Sequence, residues 1–195
     1  MDKWSHPEDL RLVRYSSGLI CALRNAGFTP NMVTGLSIVF SLVALWFLWK
    51  RQLVGFIVFA LLAYWCDDLD GAMARRFKMT SPFGELLDHA SDALFFVGVV
   101  FVLVMRYRAL RQPWLLTVLL ASSLLPSIHY AAAAKVCGNH EGVTGLLVSM
   151  VAPRDGETAA RVARRLRCVS GIGYQVILIG LVLIMATRQE ITSST

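Results

Sequence analysis

The expected architecture is all-α and integral to a membrane: a bundle of five transmembrane helices with an N-terminal interfacial amphipathic helix. The first ground is composition. The 195 residues are 56% hydrophobic and only 16% charged, with mean hydropathy +0.58, well off the average for a soluble globule. The second is the arrangement of the apolar residues in blocks at 32–50, 53–74, 84–105, 113–135 and 168–187, of about the length that crosses a bilayer. A soluble helical domain would need polar helix faces, which these blocks lack. The third is charge placement. With DDLDGAMARR set on the cytoplasmic side, only Lys50, Arg51, Arg106, Arg108, Arg111 and Arg188 of the 19 basic residues fall outside. That is the positive-inside bias. The net charge of +6 therefore reads as topology and contact with anionic lipid, not as a nucleic-acid footprint.

Residues 1–30 are expected to form a cytoplasmic N-terminal interfacial segment, and residues 31–190 the membrane domain. No cleavable signal pattern is visible in the mixed N-terminal stretch. Within it, residues 8–24 suit an amphipathic helix with Leu10, Val13, Leu19, Ile20 and Leu23 on its apolar side. Thr29-Pro30-Asn31 is a helix start, since proline suits the opening turn and Thr or Asn a cap. Lys50-Arg51-Gln52 makes a tight outer turn. Thr80-Ser81-Pro82 breaks the chain again, with Gly84 opening the third span, and Arg111-Gln112-Pro113 begins the fourth. Segment 138–156 reads as the one long loop, its apolar stretch Val143–Val151 too short to cross. A basic helix from Glu157 is expected to run into the last span. Trp46, Trp49 and Trp114 suit interfacial anchors at the outer face. Cys21, Cys66, Cys137 and Cys168 show no paired spacing, which argues against a disulfide framework. Cys137 to His140 is a single C-x2-H, weak as a zinc motif.

The stretch Asp67–Asp92, DDLDGAMARRFKMTSPFGELLDHASD, is the unusual one. The apolar run Leu53–Cys66 covers about 21 Å of helix, and Ala93–Met105 about 20 Å. Against a hydrocarbon core about 30 Å thick, both spans carry their carboxylates to a similar depth on the cytoplasmic side. At helical spacing, Asp67, Asp70, Gly71, Ala74 and Arg75 share one face, and Gly84, Asp88 and Asp92 another. If the connection at 76–83 makes these helices neighbours, four carboxylates meet in one pocket. Asp67, Asp68 and Asp70 could simply cap and solvate a helix end, with Arg75 and Arg76 pairing them. Asp88 and Asp92 facing the same pocket argue for more, because ionisable groups at membrane depth must pair or line a wet cavity. Two divalent cations would neutralise Asp67, Asp70, Asp88 and Asp92. All-oxygen ligation favours Mg²⁺ or Mn²⁺, with Ca²⁺ also possible, over zinc. Such a pair suits phosphoryl-type chemistry. Gly71 and Gly84 would let a phosphate or nucleotide approach the backbone, and Arg75 offers a cationic fork for a pyrophosphate.

The pattern Asp67-x2-Asp70-Gly71-x2-Ala74-Arg75-x8-Gly84-x3-Asp88-x3-Asp92 resembles the signature of the CDP-alcohol phosphotransferases at every fixed position. At the roughly 7% frequency typical of Gly, eight such positions coincide by accident about once in 10⁹ windows, so the likeness is specific. It implies transfer of a substituted phosphate from a CDP-linked donor to an alcohol, with release of CMP, in a helical and usually dimeric membrane domain. The resemblance implies six spans, against the five segments read here. By position it implies that Asp67, Asp70 and Asp88 bind the metal pair, while Asp92 completes that site and acts as base on the acceptor hydroxyl. Gly71, Ala74, Arg75 and Gly84 would line the CDP site.

The acceptor is less legible. His89 after the third Asp is similar to the choline and ethanolamine phosphotransferases, where it could assist proton removal; it could equally hydrogen-bond at the cavity wall. The shortness of the chain is more like synthases that use CDP-diacylglycerol, the default donor here. Lys135, Arg154 and Arg161, with Arg164 and Arg165, border the cytoplasmic side and could receive a phosphorylated acceptor or simply belong to the positive-inside bias. His129 and Tyr130 suit core packing or polar lining. Two readings of another class remain: a divalent-cation transporter, which would spread its acids along a whole crossing, and a catalytically idle membrane paralogue.

Overall fold

The computed structural model describes residues 17–107, 113–138, 142–166, 178–182 and 184. These are helical throughout apart from short connections: α1 (Ser17–Asn25), α2 (Pro30–Trp49), α3 (Leu53–Arg76), α4 (Pro82–Tyr107), α5 (Pro113–Val136), α6 (Gly142–Val151) and α7 (Gly156–Leu166), with helical residues again at 178–182.

The helix boundaries follow local chemistry. Thr29 caps α2 by accepting from the Met32 N–H (3.4 Å), with Pro30 at the first helical position. Ser81 does the same for α4, its hydroxyl accepting from the Gly84 N–H (3.0 Å). The third span thus opens at Pro82, two residues earlier than the sequence suggested. The second runs on through Arg75 and Arg76, so all the acids of DDLD lie in regular helix. Segment 138–156 is not all loop: α6 lies within it. Asp155 caps α7 through the N–H groups of Glu157 (2.8 Å) and Thr158 (2.9 Å).

The central element is α2. It packs most extensively on α3 and also on α4, whereas α3 and α4 make little direct backbone contact; α5 packs on α7 and α6. The α2–α3 approach is close enough that a side chain at Gly55 would overlap the Phe47 ring, itself stacked on Phe59 (5.3 Å). One core joins Ala44 and Leu48 of α2, Phe56 and Ala60 of α3, Phe95 and Val99 of α4, and Leu178 and Val182. A second holds Ile20 of α1 against Leu69 and Met73 of α3. Of the apolar positions expected for the N-terminal helix, Ile20 is therefore buried in the protein and Leu23 packs beside it, while Leu19 is exposed. Leu10 and Val13 lie outside the described residues.

At the end of α2 remote from the acids, the chain turns through Arg51, which adopts a left-handed backbone (φ 60°). Its guanidinium donates to the Arg106 carbonyl (2.9 Å), while Arg106 Nε donates to the Trp49 carbonyl (3.2 Å). Each arginine thus satisfies a terminal carbonyl of the other helix, and the Tyr107 hydroxyl adds a bond to the Leu48 carbonyl (3.3 Å).

Among the described residues two helices, α2 and α4, are long and apolar enough to cross a membrane. At about 1.5 Å per residue the 20 residues of α2 span about 30 Å. Their outer faces carry exposed large apolar side chains: Leu36, Val39 and Leu42 on α2, then Leu94, Val97 and Phe101 on α4. Stripes of that length oppose water and suit hydrocarbon. Trp46, expected as an interfacial anchor, is 54% exposed; the side chain of Trp114 lies outside the described ones. Cys21, Cys66 and Cys137 are free thiols. His140, Cys168 and most of the expected last span, 168–187, lie outside the described residues.

Candidate cation and phosphate site

The space left between α3 and α4, floored by α2, is where the acids converge. One carboxylate oxygen each from Asp67, Asp70 and Asp88 lie within 4.8 Å of one another. Asp67 and Asp70 come from successive turns of α3, and Asp88 enters from α4 one turn beyond Gly84. Asp92, a turn further along, lines a cleft with Asp67 and with the hydroxyl-bearing Ser37, Ser41, Tyr64 and Ser91. The four acids read from the sequence therefore do share one region. The two helices that carry them meet there through side chains rather than through close backbone packing, and each packs its backbone on α2.

The cluster is rigidly framed. Asp70 is only 4% exposed and its Oδ2 accepts from the Thr34 hydroxyl of α2. The Ser37 hydroxyl, one turn on, donates to the Ala63 carbonyl (2.9 Å), and Ser91 donates to the Asp88 carbonyl (2.8 Å). Thr34 and Ser37 were not singled out from the sequence. The available signal was the polar series Thr34, Ser37, Ser41 along one side of an otherwise apolar helix.

Two ionised carboxylates 4.8 Å apart repel by about 3 kcal/mol at an effective dielectric of about 20, so the cluster needs counter-charge. Asp67 Oδ1 is buried with no hydrogen-bond partner among the described residues, and such an oxygen suits a metal ligand. The donor set, oxygen only, suits hard cations. Ligands on opposite sides of Mg²⁺ stand about 4.2 Å apart, and of Ca²⁺ about 5 Å; oxygens within 4.8 Å need little movement to share such an ion. The residues fit a divalent metal.

The basic and small residues divide. Arg75 is exposed and curls back along α3, so that a Cβ on Gly71 would stand 3.1 Å from its Nη1. A side chain at Gly84 would crowd Asn31 Oδ1 (3.0 Å); that glycine admits the first turn of α2. Ala74 is half-buried on the same turn as Arg75. His89 packs edge-on to Tyr130 of α5 (ring centroids 5.6 Å), with its Nε2 buried and lacking a partner among the described residues. His129 is buried too. Lys135, read from the sequence either as an acceptor contact or as part of the positive-inside bias, donates to the Pro153 (2.6 Å) and Arg154 (2.8 Å) carbonyls. Arg154 and Arg161 are exposed, and Arg161 Nη2 donates to the Thr158 hydroxyl (3.2 Å).

Residues 28–187 match the protein family described as CDP-alcohol phosphatidyltransferase, a stretch that contains every acid of the cluster. No curated protein and no solved structure matches the chain.

Proposed function

This chain belongs to the CDP-alcohol phosphatidyltransferase family, and we propose that it is a divalent-metal-dependent transferase that moves a phosphatidyl group from CDP-diacylglycerol to an alcohol hydroxyl, releasing CMP, in phospholipid biosynthesis. The observation that supports this reading best is the convergence of Asp67, Asp70 and Asp88 from two helices inside the segment that defines the family.

In this reading Asp67, Asp70, Asp88 and Asp92 hold a pair of Mg²⁺ or Mn²⁺ ions. The metals, when bound, neutralise the cluster and polarise the diphosphate. Arg75, exposed beside the bare backbone of Gly71, takes the diphosphate, with Ala74 and Gly84 lining the nucleotide side. The bond that forms joins the acceptor oxygen to the donor phosphorus distal to cytidine. The bond that breaks is the P–O bond to CMP. The acceptor proton passes to Asp92, whose place in the hydroxyl-lined cleft supports a role as general base. Arg154 and Arg161 attract a phosphorylated acceptor, and Lys135 acts on them indirectly, through the Arg154 backbone.

A second reading, a CDP-choline or CDP-ethanolamine donor with diacylglycerol as acceptor, draws on His89, whose free Nε2 could take a proton beside Asp88. The molecule is further proposed to cross the membrane five times, α2 to α5 and a span within 168–187. Its site faces the cytoplasm, residues 1–30 lie at the interface, residues 31–190 form the membrane domain, and two copies form a homodimer.

The test is CMP release by purified protein offered CDP-diacylglycerol or, separately, CDP-ethanolamine with a panel of alcohols. Asp92→Asn should lower the rate by about 10²–10⁴-fold, the usual worth of a general base, while the protein stays folded in membranes. Undiminished release by that variant would refute the role of Asp92. No CMP from either donor would refute the transferase reading.

A further inference from the structure

Among the acids, Asp70 is the one whose position is decided by a third helix. Thr34 of α2 is 3% exposed, and its hydroxyl donates to Asp70 Oδ2. The same hydroxyl stands 3.2 Å from the Pro30 carbonyl, a backbone acceptor already served by the helix itself. A hydroxyl has one proton to give, and between a helical carbonyl and a buried carboxylate the charged acceptor forms the stronger bond. Thr34 is β-branched, so in a helix its χ1 is confined to two rotamers, and the one adopted sets Oγ1 beside both the Pro30 carbonyl and Asp70. Its register against α3 is fixed one turn away, where Ser37 donates to the Ala63 carbonyl (2.9 Å). That register holds the hydroxyl at Asp70. A carboxyl group otherwise turns freely about its last torsion; with Oδ2 tied, its plane is set.

We propose that Thr34 is a positioning residue for the cation site: its hydroxyl fixes the Asp70 carboxylate in the orientation in which that group joins Asp67 and Asp88 around a divalent cation. The inference rests on the metal reading given above and adds that α2, which contributes none of the acids, sets the affinity of the site. Groups that orient a metal ligand typically change metal affinity about 10–100-fold when removed.

The experiment titrates Mn²⁺ into the purified full-length chain by calorimetry, without nucleotide. It is repeated with Thr34→Val, which keeps the shape and removes the donor, and with Thr34→Ser, which restores the donor. The cation dependence of CMP release is measured in parallel. T34V is expected to weaken Mn²⁺ binding about 10–100-fold and to raise the half-saturating cation concentration of the reaction by a like factor, with a smaller change in the rate at saturation. T34S is expected to stay near the wild type. Wild-type affinity in T34V would overturn the proposal and leave the metal reading standing. No Mn²⁺ uptake by the wild type would overturn both. A residue that merely packed α2 on α3 would lower thermal stability in T34V and leave affinity where it was. Should T34V not fold, Thr34→Cys, a comparable volume with a weak donor, replaces it with the same expectation.

Discussion

Lys135 shows how a basic residue beside a phosphate chemistry can serve the chain itself. Its ammonium holds the Pro153 and Arg154 carbonyls, fixing the connection between α6 and α7 to the end of α5. Lys135→Met leaves two carbonyls without a charged donor, and should lower stability by about 1–3 kcal/mol, seen as a fall in Tm. Arg154→Ala and Arg161→Ala should instead leave Tm nearly unchanged and raise the KM of a phosphorylated acceptor. At this scale the sequence was most legible where spacing alone placed groups. Asp67, Asp70, Asp88 and Asp92 repeat at helical intervals, so helix geometry brought them to common faces. Thr34 and Lys135 were illegible because their roles depend on partners 36 residues away for the first and 18 and 19 for the second, which no local pattern encodes.

The helices themselves were readable from their ends. Thr29-Pro30 and Ser81-Pro82 carry their capping chemistry in adjacent residues, so four helices lie close to where the apolar blocks placed them. α6 was missed because its short apolar stretch follows Gly142, and length and composition both spoke for loop. α7 offers a pH-dependent test. The Thr158 hydroxyl and the backbone N–H groups of Glu157 and Thr158 hold the Asp155 carboxyl below the usual carboxylate range. A lowered folded value means that the cap's contribution is present in full above the unfolded carboxyl value of about 3.9 and is lost as pH falls through the lowered one. Protection of the Glu157 and Thr158 amides from exchange, measured against the unfolded chain at the same pH, should therefore fall in acid. Asp155→Ala should show the lower protection already at neutral pH, with no further acid step at those amides.

Across the whole molecule, the charge bias and the apolar blocks foretold a helical membrane protein, and the exposed stripes on α2 and α4 agree. Hidden from the sequence was which helix leans on which: nothing local says that α3 and α4 both pack their backbones on α2. A cluster of acids lacking a cation should also limit global stability. Saturating Mg²⁺ or Mn²⁺ at about 100 times Kd should stabilise the fold by about 2.7 kcal/mol. A rise in Tm that chelator reverses, and that Asp88→Asn abolishes, is the expected result; equal Tm with and without cation would count against a bound metal.

The paired arginines Arg51 and Arg106 join α2 and α4 at one end, while the other end meets the acids. About 30 Å of helix separates the two ends of α2, and they are secured by separate chemistry: guanidinium–carbonyl bonds at one, hydroxyl–carboxylate and hydroxyl–carbonyl bonds at the other.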